Sequence, residues 1–247
     1  MALPCYLAMT AAEFATAETL PERIAWMACH FSSYGLGLSN APQQLPAGSM
    51  VILNDRTPIH GHDPALIAQQ LTELLETLHP SRLLLDLQRP DVQETAAIAH
   101  ALVNALPCPV GITQHYAREL DCPVFLPPPP LHMPLQTHLA PWKGREIWLE
   151  LALEAETITV TAEGAQTVPA ALLPLDAPTF EDHLLHCRYH TAVTEDRAVF
   201  SLLRDKDHLP GLLEEAEKLG VTQAVGLYQQ LGSCAFLLKT ELPGSSH

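Results

Sequence analysis

Arg82-Leu83-Leu84-Leu85-Asp86-Leu87-Gln88 is the stretch on which the fold turns. Arg82 to Leu87 is a strand whose middle is apolar on both faces, a pattern tolerated only where a sheet is covered on both sides. Ahead of it lies an amphipathic helix, Ala65 to about Leu78, opened by Asp63 as N-cap and Pro64 at the first helical position. Ahead of that, Met50-Val51-Ile52-Leu53 is a second buried strand. Strand, helix, strand is a βαβ unit, which requires parallel pairing and a right-handed crossover. Asp86 and Gln88 close the run two residues apart and so share one face. In a parallel α/β barrel, strand ends of this kind are where reactive side chains gather.

The same grammar extends in both directions. Cys5 to Met9 reads as a first strand, Pro21 to His30 as a short helix opened by Thr19 and Pro21, and Tyr34 to Ser39 as a second strand. Beyond Gln88, Asp91 caps a helix from Val92 to Leu106, and Pro109 to Thr113 and Pro123 to Leu126 are short strands. The proline run Pro127 to Pro130 bars a helix where one is due. Glu146 to Leu151 and Thr157 to Thr161 then resemble a strand and its hairpin partner, followed by a Pro- and Leu-rich loop from Val168 to Pro178. This is a β-rich insertion at about residues 150–182. Parallel grammar is expected to resume with Cys187 to Ala192, Ala198 to Leu203, a helix from Leu209 to Leu219 closed by Gly220, and a last strand Ala224 to Tyr228. Residues 241–247 read as a frayed tail.

The strands starting near Cys5, Tyr34, Met50, Arg82, Val110, Val124 and Ile147, with the pieces at Ala198 and Ala224, are about enough to close an eight-stranded barrel. The expected fold is a single, irregular parallel (β/α)8 TIM-type barrel over residues 1–247, with a β-hairpin excursion in its second half. A doubly wound open sheet is disfavoured: Gly35 and Gly37 lie inside a strand, and no G-x-G-x-x-G turn opens a helix.

Composition narrows the partners. The 247 residues are 47% apolar, enough for a full core, and carry 13 Lys plus Arg against 28 Asp plus Glu, a formal charge of -15. Such a surface repels phosphate backbones and anionic lipid, so neither nucleic acid nor membrane is an expected partner. The N-terminal residues lack a basic leader with a long apolar stretch, and no later run reaches the roughly 18 apolar residues of a membrane span; a cytoplasmic protein is expected. Cys5, Cys29, Cys108, Cys122, Cys187 and Cys234 form no CxxC pair and read as buried reduced thiols.

The candidate site residues stand at strand ends. Asp86 and Gln88 come first. Asn54, Asp55 and Arg56 end the preceding strand, with Asn54 and Arg56 as ligand contacts and Asn-Asp also serving as turn chemistry. Gln114, His115 and Tyr116 follow the next strand and offer hydrogen bonds and a stacking ring. Tyr228 and Gln229 end the last. His60-Gly61-His62 is an HxH pair, but Pro58 and Asp63-Pro64 place it in a loop entering a helix, so neither metal nor cofactor is expected. No nucleophile elbow, Walker loop or Cys-His signature occurs.

With these residues in place, the chain resembles the chitinase-like glycoside hydrolases, family eighteen. The resemblance rests on Met50 to Asn54, the following helix, Arg82 to Gln88, and the segment from Tyr189 to Gly232. In that family the fourth strand ends D-x-x-D-x-D-x-E. The last Glu protonates the glycosidic oxygen, and the Asp two before it positions the substrate's own acetamido group as nucleophile. Laid on this chain, that Asp falls on Asp86 and the Glu on Gln88, while the earlier acids fall on Ser81 or Arg82 and on Leu84. Three of the four acidic positions are gone, and an amide has no proton to give. The resemblance also implies Asp205 as the acid after the strand before the last helix, and Tyr228 in place of an aromatic floor residue, usually Trp. The family's tyrosine-acid pair at the sixth strand is missing, because Val124-Phe125-Leu126 runs straight into prolines.

The reading is a catalytically degenerate barrel, a pseudo-enzyme that binds an N-acetylated sugar or related oligosaccharide at its C-terminal mouth. Two alternatives stay open. One is an active hydrolase using another carboxylate, Glu150 or Asp205, or a metal held by histidines. The other is an interaction or structural protein whose mouth is closed by its own loops.

Overall fold

Parallel strands pair around a complete circle, and the helices between them lie outside it. The computed structural model describes residues 3–32, 35–39, 44–55, 61–89, 93–170 and 178–238; Arg56, His60 and Asp91 fall outside these. The elements of the first half are β1 (Cys5–Met9), α1 (Ala11–Thr16), β2 (Ile24–Ser32), β3 (Gly35–Leu38), β4 (Met50–Asn54), α2 (Pro64–Leu78), β5 (Arg82–Asp86), α3 (Gln93–Ala105), β6 (Val110–Thr113), α4 (Gln114–Ala117) and β7 (Val124–Leu126). The second half holds α5 (Leu135–Leu139), β8 (Ile147–Leu151), β9 (Glu154–Thr161), β10 (Gly164–Pro169), β11 (Phe180–Asp182), β12 (Cys187–Val193), β13 (Arg197–Arg204), α6 (Leu209–Lys218), β14 (Val221–Leu227) and α7 (Tyr228–Leu231). The order around the circle is β1-β14-β8-β7-β6-β5-β4-β2, and β2 pairs back onto β1, so the sheet is a closed eight-stranded TIM-type barrel.

Two faces of the strands make two cores. Between barrel and helices, residues such as Leu83, Leu85, Val51, Leu53, Ile112 and Leu149 pack against the apolar stripe of α2 (Ile67, Leu71, Leu74, Leu78) and of α3 (Ile98, Leu102). Inside the barrel, Tyr6, Ala8, Ala25, Met50, Ile52, Leu84, Phe125, Trp148 and Val225 form a separate cluster. Trp148 fills the middle, its six-membered ring lying over Gly111 of β6. A Cβ at Gly111 would stand 2.4 Å from two ring carbons, so the residue is glycine for space. At the N-terminal end Arg82 donates to the Tyr6 hydroxyl at 2.8 Å, and Trp148 Nε1 donates to Glu146 at 3.0 Å.

The sequence reading errs at the second barrel strand. Pro21 to His30 was expected as a helix, yet Ile24–Ser32 is the second barrel strand, paired to β1 on one side and β4 on the other. Ile24, Trp26, Cys29 and Phe31 face the outer core and Ala25 the interior, so burial on both faces overrides a local helix signal. Gly35–Leu38, the expected second strand, is only an antiparallel partner of β2 outside the circle.

The β-excursion is also larger than a hairpin. Ile147–Leu151 is the seventh barrel strand, and Glu154–Thr161 pairs with β10 and β13 in a second, five-stranded sheet ordered β10-β9-β13-β12-β11. Cys187–Val193 and Arg197–Arg204 belong to this antiparallel sheet rather than to parallel barrel grammar. Their burial shows why: β9 and β13 are half-exposed along most of their length, whereas β5, β6 and β7 are buried almost throughout. Arg204, itself buried, ties this sheet to the proline run. It donates to the carbonyl oxygens of Pro129 (3.0 Å), Leu185 (3.2 Å) and His186 (3.3 Å) and lies 3.4 Å from Glu154.

The packing of Trp148 on Gly111 has a measurable consequence. Gly111→Ala should lower stability by about 1–3 kcal/mol, read as a fall of several degrees in the thermal midpoint. Adding Trp148→Leu should recover part of that loss; strictly additive losses would mean that the ring does not fill the space above Gly111.

Candidate functional site

Above Trp148 the barrel interior turns polar. Counting two residues on from the interior cluster, Ile52 leads to Asn54, Leu84 to Asp86, Gly111 to Thr113, Phe125 to Pro127 and Trp148 to Glu150. Asn54 and Asp86 are direct partners in the parallel ladder of β4 and β5. A shallow cleft at this level is lined by Gln88, Thr113, Gln114, His115, Phe125, Pro127 and Glu150.

The turn after β5 is held by its neighbours. Asp55, only 3% exposed, accepts the backbone N–H of Gln88 (2.9 Å) on one carboxylate oxygen and that of Arg89 (3.0 Å) on the other. From β6, the Thr113 hydroxyl donates to the Leu87 carbonyl at 2.7 Å, and the Tyr116 hydroxyl donates to the Arg89 carbonyl. Strands on both sides of β5 thus fix three consecutive backbone units. Gln88 is exposed at the rim, and its Nε2 donates to Asp86 Oδ1. That bond commits one of the two amide N–H groups and leaves the other N–H and the oxygen open.

Charge at this level is negative. Burial holds the Asp86 carboxyl above the ordinary range; the Gln88 hydrogen bond opposes this and the nearby Asp55 adds to it. Glu150 is pushed up to about 7, chiefly by burial and further by Asp86 and Glu154. Among the described residues no donor reaches the Glu150 carboxyl.

The remaining candidates lie elsewhere. Gln114 and His115 line the cleft, and Asn54 faces it from β4, while Arg56 lies outside the described residues. Tyr116 is buried in the outer core, so its ring offers no face for stacking and its role is to position Arg89. Asp205 caps the turn before α6, accepting from Asp207 N at 3.0 Å, and pairs with Arg188 (2.9 Å) and His208 (2.8 Å), away from the cleft. Tyr228 opens α7 and packs against Gly232 and the outer core, and Gln229 is exposed; Leu227 is the β14 residue beside the interior cluster. The aromatic residue that lines the cleft is Phe125 of β7, and Trp148 of β8 lies fully buried below it. His62 meets the Ser32 carbonyl, and among the described residues no three metal-binding side chains converge. Two residues were undervalued in the sequence: Asp55, read as turn chemistry, and Glu150, carried only as an alternative. The strand near Ile147 was counted in the barrel, and applying alternation to it turns Glu150 inward.

Comparisons with known proteins follow this geometry. No family model matches the chain, and no curated protein matches its sequence. Solved structures do match in fold. A Glu-to-Gln mutant of class V chitinase from Nicotiana tobaccum in complex with NAG4 superposes with a TM-score of 0.62 at 10% identity, covering 98% of this chain and 100% of that one. A glycoside hydrolase family 18 N-acetylglucosaminidase from Paenibacillus barengoltzii gives 0.61 at 9% identity, over 95% and 98% of the two chains. The family 18 chitinase from Cycas revoluta in complex with (GlcNAc)3 gives 0.58 at 10% identity, over 96% and 98%. At these identities the likeness is one of fold alone: this chain shares the (β/α)8 barrel of those structures.

The raised Glu150 carboxyl sets a pH dependence. Its folded pKa, about 7, lies above the ordinary value of 4.5, so the folded state holds more protons across that window and stability falls as pH rises through it, then levels. Between about pH 5 and about pH 8 the wild type should lose on the order of 2 kcal/mol more than Glu150→Gln. Urea unfolding of both proteins at the two pH values measures this, and parallel losses would place the Glu150 carboxyl in open water. Replacing Asp55 by Ala, which strips two backbone N–H groups of their acceptor, should cost about 2–4 kcal/mol in the same assay.

Proposed function

We propose that this barrel binds an amino-sugar glycan at its C-terminal mouth and does not hydrolyse it by the family-eighteen route. The observation that carries the reading is Gln88: it stands at the rim of the cleft after β5, hydrogen-bonded to Asp86, in the place where the resemblance puts the acid. General acid catalysis needs a proton that can leave, and a carboxamide has none at working pH. It can still accept and donate hydrogen bonds, so recognition survives the loss of the chemistry. The solved structures of like fold include chitinases crystallised with N-acetylglucosamine oligomers, which supports a glycan as the ligand class.

A second reading is favoured by Glu150. A carboxyl with a pKa of about 7 in the same cleft suits proton donation at neutral pH, and would make the protein a hydrolase with its acid on β8 instead of after β5. Two variants separate the readings. With chromogenic glycosides of chitin-type oligosaccharides, wild type should be inactive and Gln88→Glu should gain turnover. Hydrolysis by wild type that disappears in Glu150→Gln would overturn the first reading in favour of the second. Absence of binding to any amino-sugar oligomer at millimolar concentration would overturn both.

A further inference from the structure

The cleft encloses about 70 Å³. That is roughly the share of two water molecules in the liquid, and well below the ~300 Å³ at which pockets begin to take whole small ligands. A cleft of this size suits a ring substituent better than a whole pyranose ring. The surroundings select the chemistry of that substituent. Glu150 lines the cleft from β8, Asp86 stands beside it on β5, and Asp55 and Glu154 add negative charge behind them. Among the described residues that line the cleft there is no Lys or Arg, and His115 on α4 is the other titratable group. Arg204, behind Glu154, is engaged by the carbonyl oxygens of Pro129, Leu185 and His186.

The charged groups left open are carboxylates, beside the neutral amides of Gln88 and Gln114. The Glu150 carboxyl has no donor among the described residues, Asp86 keeps one oxygen beyond its bond to Gln88, and the Gln88 amide keeps its oxygen and its second N–H. An acetamido group brings one N–H donor, one carbonyl acceptor and no charge to set against the carboxylates. An ammonium brings three N–H donors, a positive charge and no acceptor. Taking the mouth as the glycan site proposed above, we propose that it selects a free primary amine: an amino sugar lacking its N-acetyl group, with the ammonium held among Glu150, Asp86 and the Gln88 amide oxygen. Binding such a cation favours the ionised Glu150, so a proton leaves the protein as the ligand enters.

Isothermal titration calorimetry at about pH 6.5 and physiological salt, in two buffers of different ionisation enthalpy, reads both affinity and proton release. The probes are glucosamine tetramer and its fully N-acetylated counterpart, titrated into wild type and Glu150→Gln. The expected result is at least tenfold tighter, one-to-one binding of the free-amine tetramer, with release of up to one proton. Both the preference and the release should vanish in Glu150→Gln, a variant whose fold the unfolding assay above checks independently. Equal or tighter binding of the acetylated tetramer would overturn the inference and leave the glycan reading standing. Free-amine binding that persists in Glu150→Gln would be attraction to the acidic surface and would overturn it as well. No binding of either tetramer would remove both proposals.

Discussion

Everything at the mouth of this barrel depends on the interior below it being full. Trp148 on β8 lies over Gly111 on β6, and with Met50, Ile52, Leu84, Phe125 and Val225 it leaves the barrel axis without room for a ligand. Because side chains alternate along a strand, this filled layer dictates which residues come next on the inward face: Asn54, Asp86, Thr113 and Glu150. The polar layer is thus a consequence of register. Its members are brought together by parallel pairing of strands that lie far apart in sequence, as Asp86 and Glu150 do.

A second constraint acts on the loop above that layer. Asp55, Thr113 and Tyr116 take up the backbone groups of residues 87–89 from both sides, so Gln88 leaves the barrel from a turn whose geometry is set by buried partners. A side chain held in this way costs less entropy to use in recognition than one on a free loop. On the proposed reading, this anchoring positions an amide for recognition and not an acid for proton transfer. It also explains why little of the likeness to family 18 structures shows as identity: closure, layers and turn anchoring can be met by many residue combinations.

Much of this was legible in the sequence, and the rest failed for identifiable reasons. Met50–Asn54, Pro64–Leu78 and Arg82–Asp86 announced themselves, since their burial pattern and caps agree with the fold around them. Asp86 and Gln88 followed from the end of that last strand. Ile24–Ser32 was misread because a run of apolar residues buried on both faces has no clean period of either kind. The second sheet was misread because strand pairing across 30 or more residues, as between Glu154–Thr161 and Arg197–Arg204, leaves no local signal. Tyr116 and Tyr228 were placed at the mouth by position. Helical turns begin at Gln114 and Tyr228, immediately after their strands, so the strand's alternation no longer sets where these rings point.

The central claim is that the Gln88 amide, fixed against Asp86 at the rim, is a recognition group. Its side-chain NH2 gives a resolvable pair of signals in a 15N-correlated NMR spectrum, assigned by their loss in Gln88→Glu, and these can be followed while an amino-sugar tetramer is added. The account predicts one proton shifted by the Asp86 bond in the free protein, and progressive, saturable movement of both signals as ligand binds. A pair at random-coil positions that stays fixed, while other resonances report binding elsewhere, would contradict it.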